Sequence, residues 1–138
     1  MVIGVKIIGL TGQTGAGKST VARALEKIGY YHIDADLVAK EVINGDKAVI
    51  SALAREYGED IALPDGSVDR KLLAKRAFSS KENTERLSKI THPAVVRRIK
   101  SIISQKEQEN ALGVTVDAIG LFESGLSSLC DINVCVVA

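Results

Sequence analysis

Gly12, Gly17, Lys18 and Ser19 spell G-x-x-x-x-G-K-[ST], a spacing that suits a triphosphate. Glycines allow backbone turns that a Cβ forbids, so successive N–H groups converge on phosphate oxygens. A helix starting near Gly17 would aim the positive end of its dipole at the same anion. Lys18 would reach the β- and γ-phosphates, and the Ser19 hydroxyl would ligate Mg²⁺. The expected cradle is Gly12, Gln13, Thr14, Gly15, Ala16, Gly17, Lys18, Ser19 and Thr20. At average composition the pattern arises by chance in roughly one chain in 200 of this length. Here it also lies between a strand-like and a helix-like segment, so a merely glycine-rich turn is the poorer account.

A phosphate cradle does not choose between a kinase, a GTPase and an ATPase motor; the remaining polar residues must. Asp34 and Asp36 close the strand-like run Tyr30-Tyr31-His32-Ile33. A carboxylate at Asp36 could face the γ-phosphate and accept the proton of an acceptor hydroxyl, or hold Mg²⁺ through water. Asp34 could share the metal role, and either aspartate could instead cap the helix expected from Leu37. Asp117-Ala118-Ile119-Gly120 spells D-x-x-G, the metal-contacting pattern of regulatory GTPases, but no N-K-x-D for guanine occurs in the chain.

These groups need a scaffold, and the hydrophobic pattern supplies one. Val2 to Leu10 is an almost continuous β-branched run, as in a strand buried on both faces. Val21, Leu25 and Ile28 mark a helix face that Gly29 ends. With Tyr30 to Ile33 as a second strand, this is a βαβ-type unit with a right-handed crossover. Leu37 to Ile43 reads as a helix stopped by Asn44-Gly45. Asp46 to Tyr57 carries Val49, Ile50, Leu53 and Ala54 on one helix face. Pro64-Asp65-Gly66 predicts a loop or small hairpin, and Asp69 should cap a helix to Phe78. His92-Pro93 predicts a break after the helix Lys81 to Thr91, with Pro93 opening the next helix to about Asn110. Gly113 to Ile119 and Ile132 to Val137 return to strands, with a short helix over Glu123 to Leu129.

The expected fold class is α/β: the P-loop NTPase fold, with a mostly parallel sheet and helices on both faces. A single domain is expected, with a nucleotide-binding core over 1–45 and 111–138 and a helical acceptor-binding insertion over 46–110, between strands two and three. Ligands in such sheets bind beyond the carboxyl ends of the strands, where the cradle, Asp34, Asp36 and the segment after Ile119 would meet.

Composition agrees with a small-molecule enzyme. With 138 residues, 46% hydrophobic and 25% charged, the chain supports one globular core. A net charge of +1 and 4% aromatic residues argue against nucleic acid as a partner. The N-terminal apolar stretch is too short to span a membrane and lacks a signal-peptide pattern, so no membrane partner is expected. Cys130 and Cys135 match no metal or redox spacing and read as buried or half-buried free thiols suited to a reducing cytosol.

Taken in order, several segments resemble a known family. They are Gly9-Leu10-Thr11-Gly12 with Gly17-Lys18-Ser19-Thr20, Ile33-Asp34-Ala35-Asp36, Asp65-Gly66 with Asp69-Arg70 and Leu73, Phe78, Ile90-Thr91-His92-Pro93, and Leu121-Phe122-Glu123-Ser124-Gly125-Leu126. The chain is similar to dephospho-CoA kinase over essentially its whole length. That resemblance implies a cytoplasmic enzyme that transfers the γ-phosphoryl of ATP, with Mg²⁺, to the ribose 3′-hydroxyl of dephospho-coenzyme A. It implies Asp36 as general base, with Arg70 and His92 at acceptor-side positions. Beside these, the residues themselves offer Lys18 as a catalytic cation, Ser19 and Asp36 as metal contacts, and Asp34 and Glu123 as further acceptor contacts.

Simpler roles stand beside these. Arg70 could pair with surface carboxylates, His92 could be a packed helix-boundary residue, and Glu123 could cap the short helix or touch metal. Lys71, Lys75 and Arg76 read as a solvated helix face. Another small-molecule kinase and a P-loop GTPase are the rival functions. The chain departs from the family in reading Ile119-Gly120-Leu121 where Pro-Leu-Leu is usual. It also ends at Val134-Cys135-Val136-Val137-Ala138, where family members continue into an arginine-bearing lid, a last strand and a helix. The expectation is a truncated piece that binds triphosphate weakly and turns over poorly, since a missing arginine finger is worth about 10³ to 10⁵ in rate.

Overall fold

The computed structural model describes residues 5–13, 17–122 and 124–137. The chain divides into two compact units, Met1–Val38 with Arg97–Ala138, and Ala39–Val96. Among the described residues no helix is long and apolar enough to cross a membrane.

The first unit is built on a four-stranded sheet of β1 (Lys6–Gly12), β2 (Tyr30–Asp34), β3 (Gly113–Asp117) and β4 (Ile132–Val136), in the order β2-β3-β1-β4. Every pairing is parallel. The interior strand β3 is buried from Gly113 to Val116, which explains its lack of alternation. The register sets Asp117 opposite both Leu10 and Asp34, and Gly12 opposite Val136. The four carboxyl-terminal strand ends therefore lie along one edge.

Helix α1 (Lys18–Lys27) follows β1 and buries Ala22. Val21 and Leu25 are half-buried, but Ile28 is not part of the expected face: it is the residue after the helix and is exposed. Gly29, at φ 107°, turns the chain there. Helix α2 (Ala35–Gly45) begins directly at the end of β2, two residues before the expected Leu37. The strand expected to reach Ile119 stops at Asp117, since Ile119 to Phe122 already form a turn. The Ala118 N–H donates to the Leu10 carbonyl at 3.0 Å, and the Thr11 hydroxyl donates to the Ile119 carbonyl at 2.8 Å. The short helix expected over Glu123 to Leu129 is a 3₁₀ turn, Leu126–Leu129. Both cysteines are free; Cys130 is half-buried, whereas Cys135 is exposed on β4, contrary to expectation, because β4 ends the sheet.

The second unit follows local capping rules closely. Asp46 caps α3 (Lys47–Tyr57), its Oδ1 accepting from Ala48 and Val49 N–H at 3.0 and 3.1 Å. The helix buries Val49, Leu53, Ala54 and Tyr57. A hairpin turns at Pro64-Asp65-Gly66, closed by the Ala62–Val68 bridge. Asp69 caps α4 (Arg70–Ala77) through a 3.1 Å bond from Leu72 N–H.

Helix α5 (Lys81–Gln108) corrects the expected break at His92-Pro93: the helix runs through Pro93. Proline removes the helical donor for the Lys89 carbonyl, and both Lys89 and Pro93 lie on the exposed side of the helix. Thr91, Ala94, Val95 and Ile99 are buried around it, and their burial outweighs the local penalty.

Candidate phosphate-transfer site

Gly12 ends β1 at φ 149°, and a Cβ there would run into the Val136 carbonyl oxygen on β4. Gln13 is exposed, and Thr14, Gly15 and Ala16 lie outside the described residues. Gly17 resumes at φ 95°, a left-handed conformation that favours glycine. Its carbonyl accepts from Thr20 and Val21 N–H at 3.1 and 3.3 Å and so starts α1. No side chain among the described residues caps this helix, and the N–H groups of Lys18 and Ser19 have no helical partner to take. An uncapped helix start behind a left-handed glycine is a ready site for an anion.

Lys18 is half-buried, and its Nζ lies 2.9 Å from Asp117 Oδ1. The other Asp117 oxygen lies 2.9 Å from His32 Nε2. One carboxylate on β3 thus joins the cradle lysine to an imidazole on β2. Asp117 carried a sequence signal, the D-x-x-G after a strand, although that pattern pointed toward a GTPase. His32 carried none, since a lone histidine within a short strand has no spacing to read.

The two aspartates after β2 differ in their surroundings. Asp34 Oδ1 accepts from Asp36 N–H at 3.0 Å and from Leu37 N–H at 3.1 Å, which makes Asp34 the cap of α2. Asp36 sits in the first turn of that helix with an exposed side chain. Ser19 and Thr20 are exposed in the first turn of α1. Hard oxygen donors are therefore present at this sheet edge in Ser19, Asp34, Asp36 and Asp117. Such a sparse set suits Mg²⁺, which keeps several waters and takes one or two carboxylates beside phosphate oxygens.

Arg70 and His92 belong to the second unit. Arg70 opens α4, is exposed and forms no ion pair among the described residues. His92 is half-buried within α5. Arg76, expected on a solvated helix face, lies near the surface but is not free there: its guanidinium forks onto Asp60 at 2.6 and 2.8 Å and donates to the Tyr57 carbonyl at 2.6 Å. That bond and charge hold the Asp60 carboxyl below its ordinary range. Glu123 lies outside the described residues.

A family model described as dephospho-CoA kinase matches residues 6–138. The chain belongs to the dephospho-CoA kinase family. A dephospho-CoA kinase of Corynebacterium diphtheriae is 41% identical over 126 residues, covering 91% of this chain and 63% of that protein. The crystal structure of TT1252 from Thermus thermophilus superposes with a TM-score of 0.75 at 31% identity, over 97% of this chain and 66% of that one. A dephospho-CoA kinase from Campylobacter jejuni shares the fold, with a TM-score of 0.69 at 22% identity, over 91% of this chain and 63% of that one. The chain therefore spans a little under two thirds of the length of the dephospho-CoA kinases it matches. The α/β architecture with a parallel sheet is the P-loop NTPase fold of these neighbours.

Proposed function

We propose that the protein transfers the γ-phosphoryl group of ATP to the ribose 3′-hydroxyl of dephospho-coenzyme A, giving coenzyme A and ADP in the cytoplasm. The observation that carries this is Lys18, held at the open start of α1 beside Asp117 on the carboxyl edge of a parallel sheet, in a chain of this family.

In this reading the N–H groups from Gly12 to Thr20 bind the phosphates, and Lys18 leaves Asp117 for the β- and γ-oxygens. Asp36 accepts the proton of the attacking hydroxyl as its oxygen bonds to the γ-phosphorus. The bond from that phosphorus to the β–γ bridging oxygen breaks, and ADP leaves with the electron pair. Ser19 and Asp36 would hold Mg²⁺, which supplies charge neutralisation on the phosphates. Asp34 fixes the strand-to-helix join that aims Asp36, and its second oxygen remains for the acceptor. Arg70, His92 and Glu123 are the further acceptor contacts of this reading, the first two from the family resemblance.

The test is product analysis with ATP and dephospho-coenzyme A, beside GTP and a panel of other alcohol acceptors. Coenzyme A and ADP should form in equal amounts, ATP should serve better than GTP, and Lys18→Ala should remove most of the turnover. Equal rates on unrelated acceptors, or no phosphorylation of dephospho-coenzyme A, would refute the assignment.

A further inference from the structure

We propose that His32 is a positioning residue of the phosphate site: it keeps the Asp117 carboxylate in place when Lys18 leaves it for a phosphate. The inference rests on reading the site as one for a nucleoside triphosphate, but not on which acceptor is phosphorylated.

The argument starts from register. His32 pairs with Thr115, and Asp117 lies two residues further along β3, on the same face. Such diagonal neighbours have Cα atoms about 7–8 Å apart, a gap that a long or aromatic side chain spans. The imidazole passes its nearest neighbour to make that bond, for the buried Thr115 hydroxyl has no partner among the described residues. Nε2 reaches Asp117 Oδ2 at 2.9 Å while Lys18 Nζ holds Oδ1 at 2.9 Å. An ionised carboxylate only accepts, so Nε2 carries the proton of this bond.

Those two contacts are the side-chain partners of Asp117 among the described residues. Its side chain is only 16% exposed, so water compensates a lost partner poorly. When Lys18 turns to a phosphate, Asp117 keeps His32 and stays oriented. Without His32, releasing Lys18 would strand a largely buried carboxylate. Lys18 would then be held back, and triphosphate would bind more weakly.

The test compares His32→Phe, His32→Gln, Asp117→Asn and the His32→Phe/Asp117→Asn double variant of the full chain. The measurements are calorimetric ATP affinity, thermal melts, and kcat with KM for each substrate. Loss of a bond to a charged group predicts that His32→Phe weakens ATP binding about tenfold and raises KM for ATP alike. The acceptor KM and kcat at saturating ATP should stay within about threefold. His32→Gln keeps an N–H donor of similar reach and should restore most of the affinity. In the Asp117→Asn background, His32→Phe should change affinity less than about twofold. His32→Leu takes the place of the Phe variant if the ring unfolds the protein, with the same expected loss. Unchanged ATP affinity in His32→Phe, an undiminished effect without Asp117, or no rescue by glutamine would each overturn the proposal. ATP binding that responds as expected in a protein unable to phosphorylate dephospho-coenzyme A would sink the proposed reaction alone.

Discussion

Asp34 and Asp36 stand two residues apart, yet their environments predict opposite consequences of removing each. Asp34 Oδ1 takes two N–H groups of the first turn of α2, at 3.0 and 3.1 Å. Deleting an N-cap of this kind costs about 1 kcal/mol, within a range of about 0.5–2. For a protein of this size that is roughly 3 °C on a thermal melt. Asp36 accepts no such bond, and its stabilising share is that of an acid near a helix start, about 0.3–1 kcal/mol. Asp36→Asn should therefore move the melt by no more than about 2 °C. As the proposed general base, Asp36 should show its effect in chemistry instead. Removing a general base lowers kcat by about 10² to 10⁴, while ATP affinity should be kept. Asp34→Ala should lower kcat only about tenfold, through a looser placement of Asp36. The assay couples ADP release to dephospho-coenzyme A, with a melt and an ATP titration on the same samples. Should Asp36→Asn keep more than about a tenth of the turnover, or Asp34→Ala lose more turnover than Asp36→Asn, the base has been placed on the wrong carboxylate.

Three further outcomes follow from the described geometry. Gly17 and Gly12 both have positive φ, but among the described residues a Cβ at Gly17 meets Val136 Cγ1 at 4.0 Å and nothing nearer, whereas one at Gly12 strikes a backbone carbonyl. Gly17→Ala should cost about 1–2 kcal/mol of backbone strain, and Gly12→Ala more, as compared by denaturant unfolding. Pro93→Ala restores a helical donor toward the Lys89 carbonyl, so it should stabilise the protein by about 1 kcal/mol or more in the same assay. Because Arg76 holds the Asp60 pKa below its unfolded value, that pair stabilises the fold above the unfolded pKa. Its contribution is lost as pH falls through the folded value. In Arg76→Ala the Asp60 carboxyl should titrate back near its ordinary 3.8 by NMR, and stability should fall less steeply in acid.

Local chemistry made much of this molecule legible before any coordinates. Asp46 and Asp69 cap their helices because a short acceptor at that position meets N–H groups of its own first turn. Pro64-Asp65-Gly66 turns a hairpin, and Gly17 sits in the left-handed conformation that its motif requires, for reasons confined to a few residues. The expected break at Pro93 was wrong for the opposite reason. The rule that proline ends helices weighs one missing donor, and cannot see that Pro93 lies on the exposed side of a helix whose Ala94, Val95 and Ile99 are buried.

What the sequence determined by itself was the G-x-x-x-x-G-K-S motif, the carboxylates after β2 and the family, since each is written in short runs of residues. Only the tertiary structure decided that Asp117 would be the partner of Lys18, and His32 the partner of Asp117. Those residues are brought together by the strand order β2-β3-β1-β4 and a parallel register that sets Asp34 and Leu10 on either side of Asp117. Strand neighbours are chosen by the burial of whole faces, a property of the assembled sheet that no short stretch of chain carries.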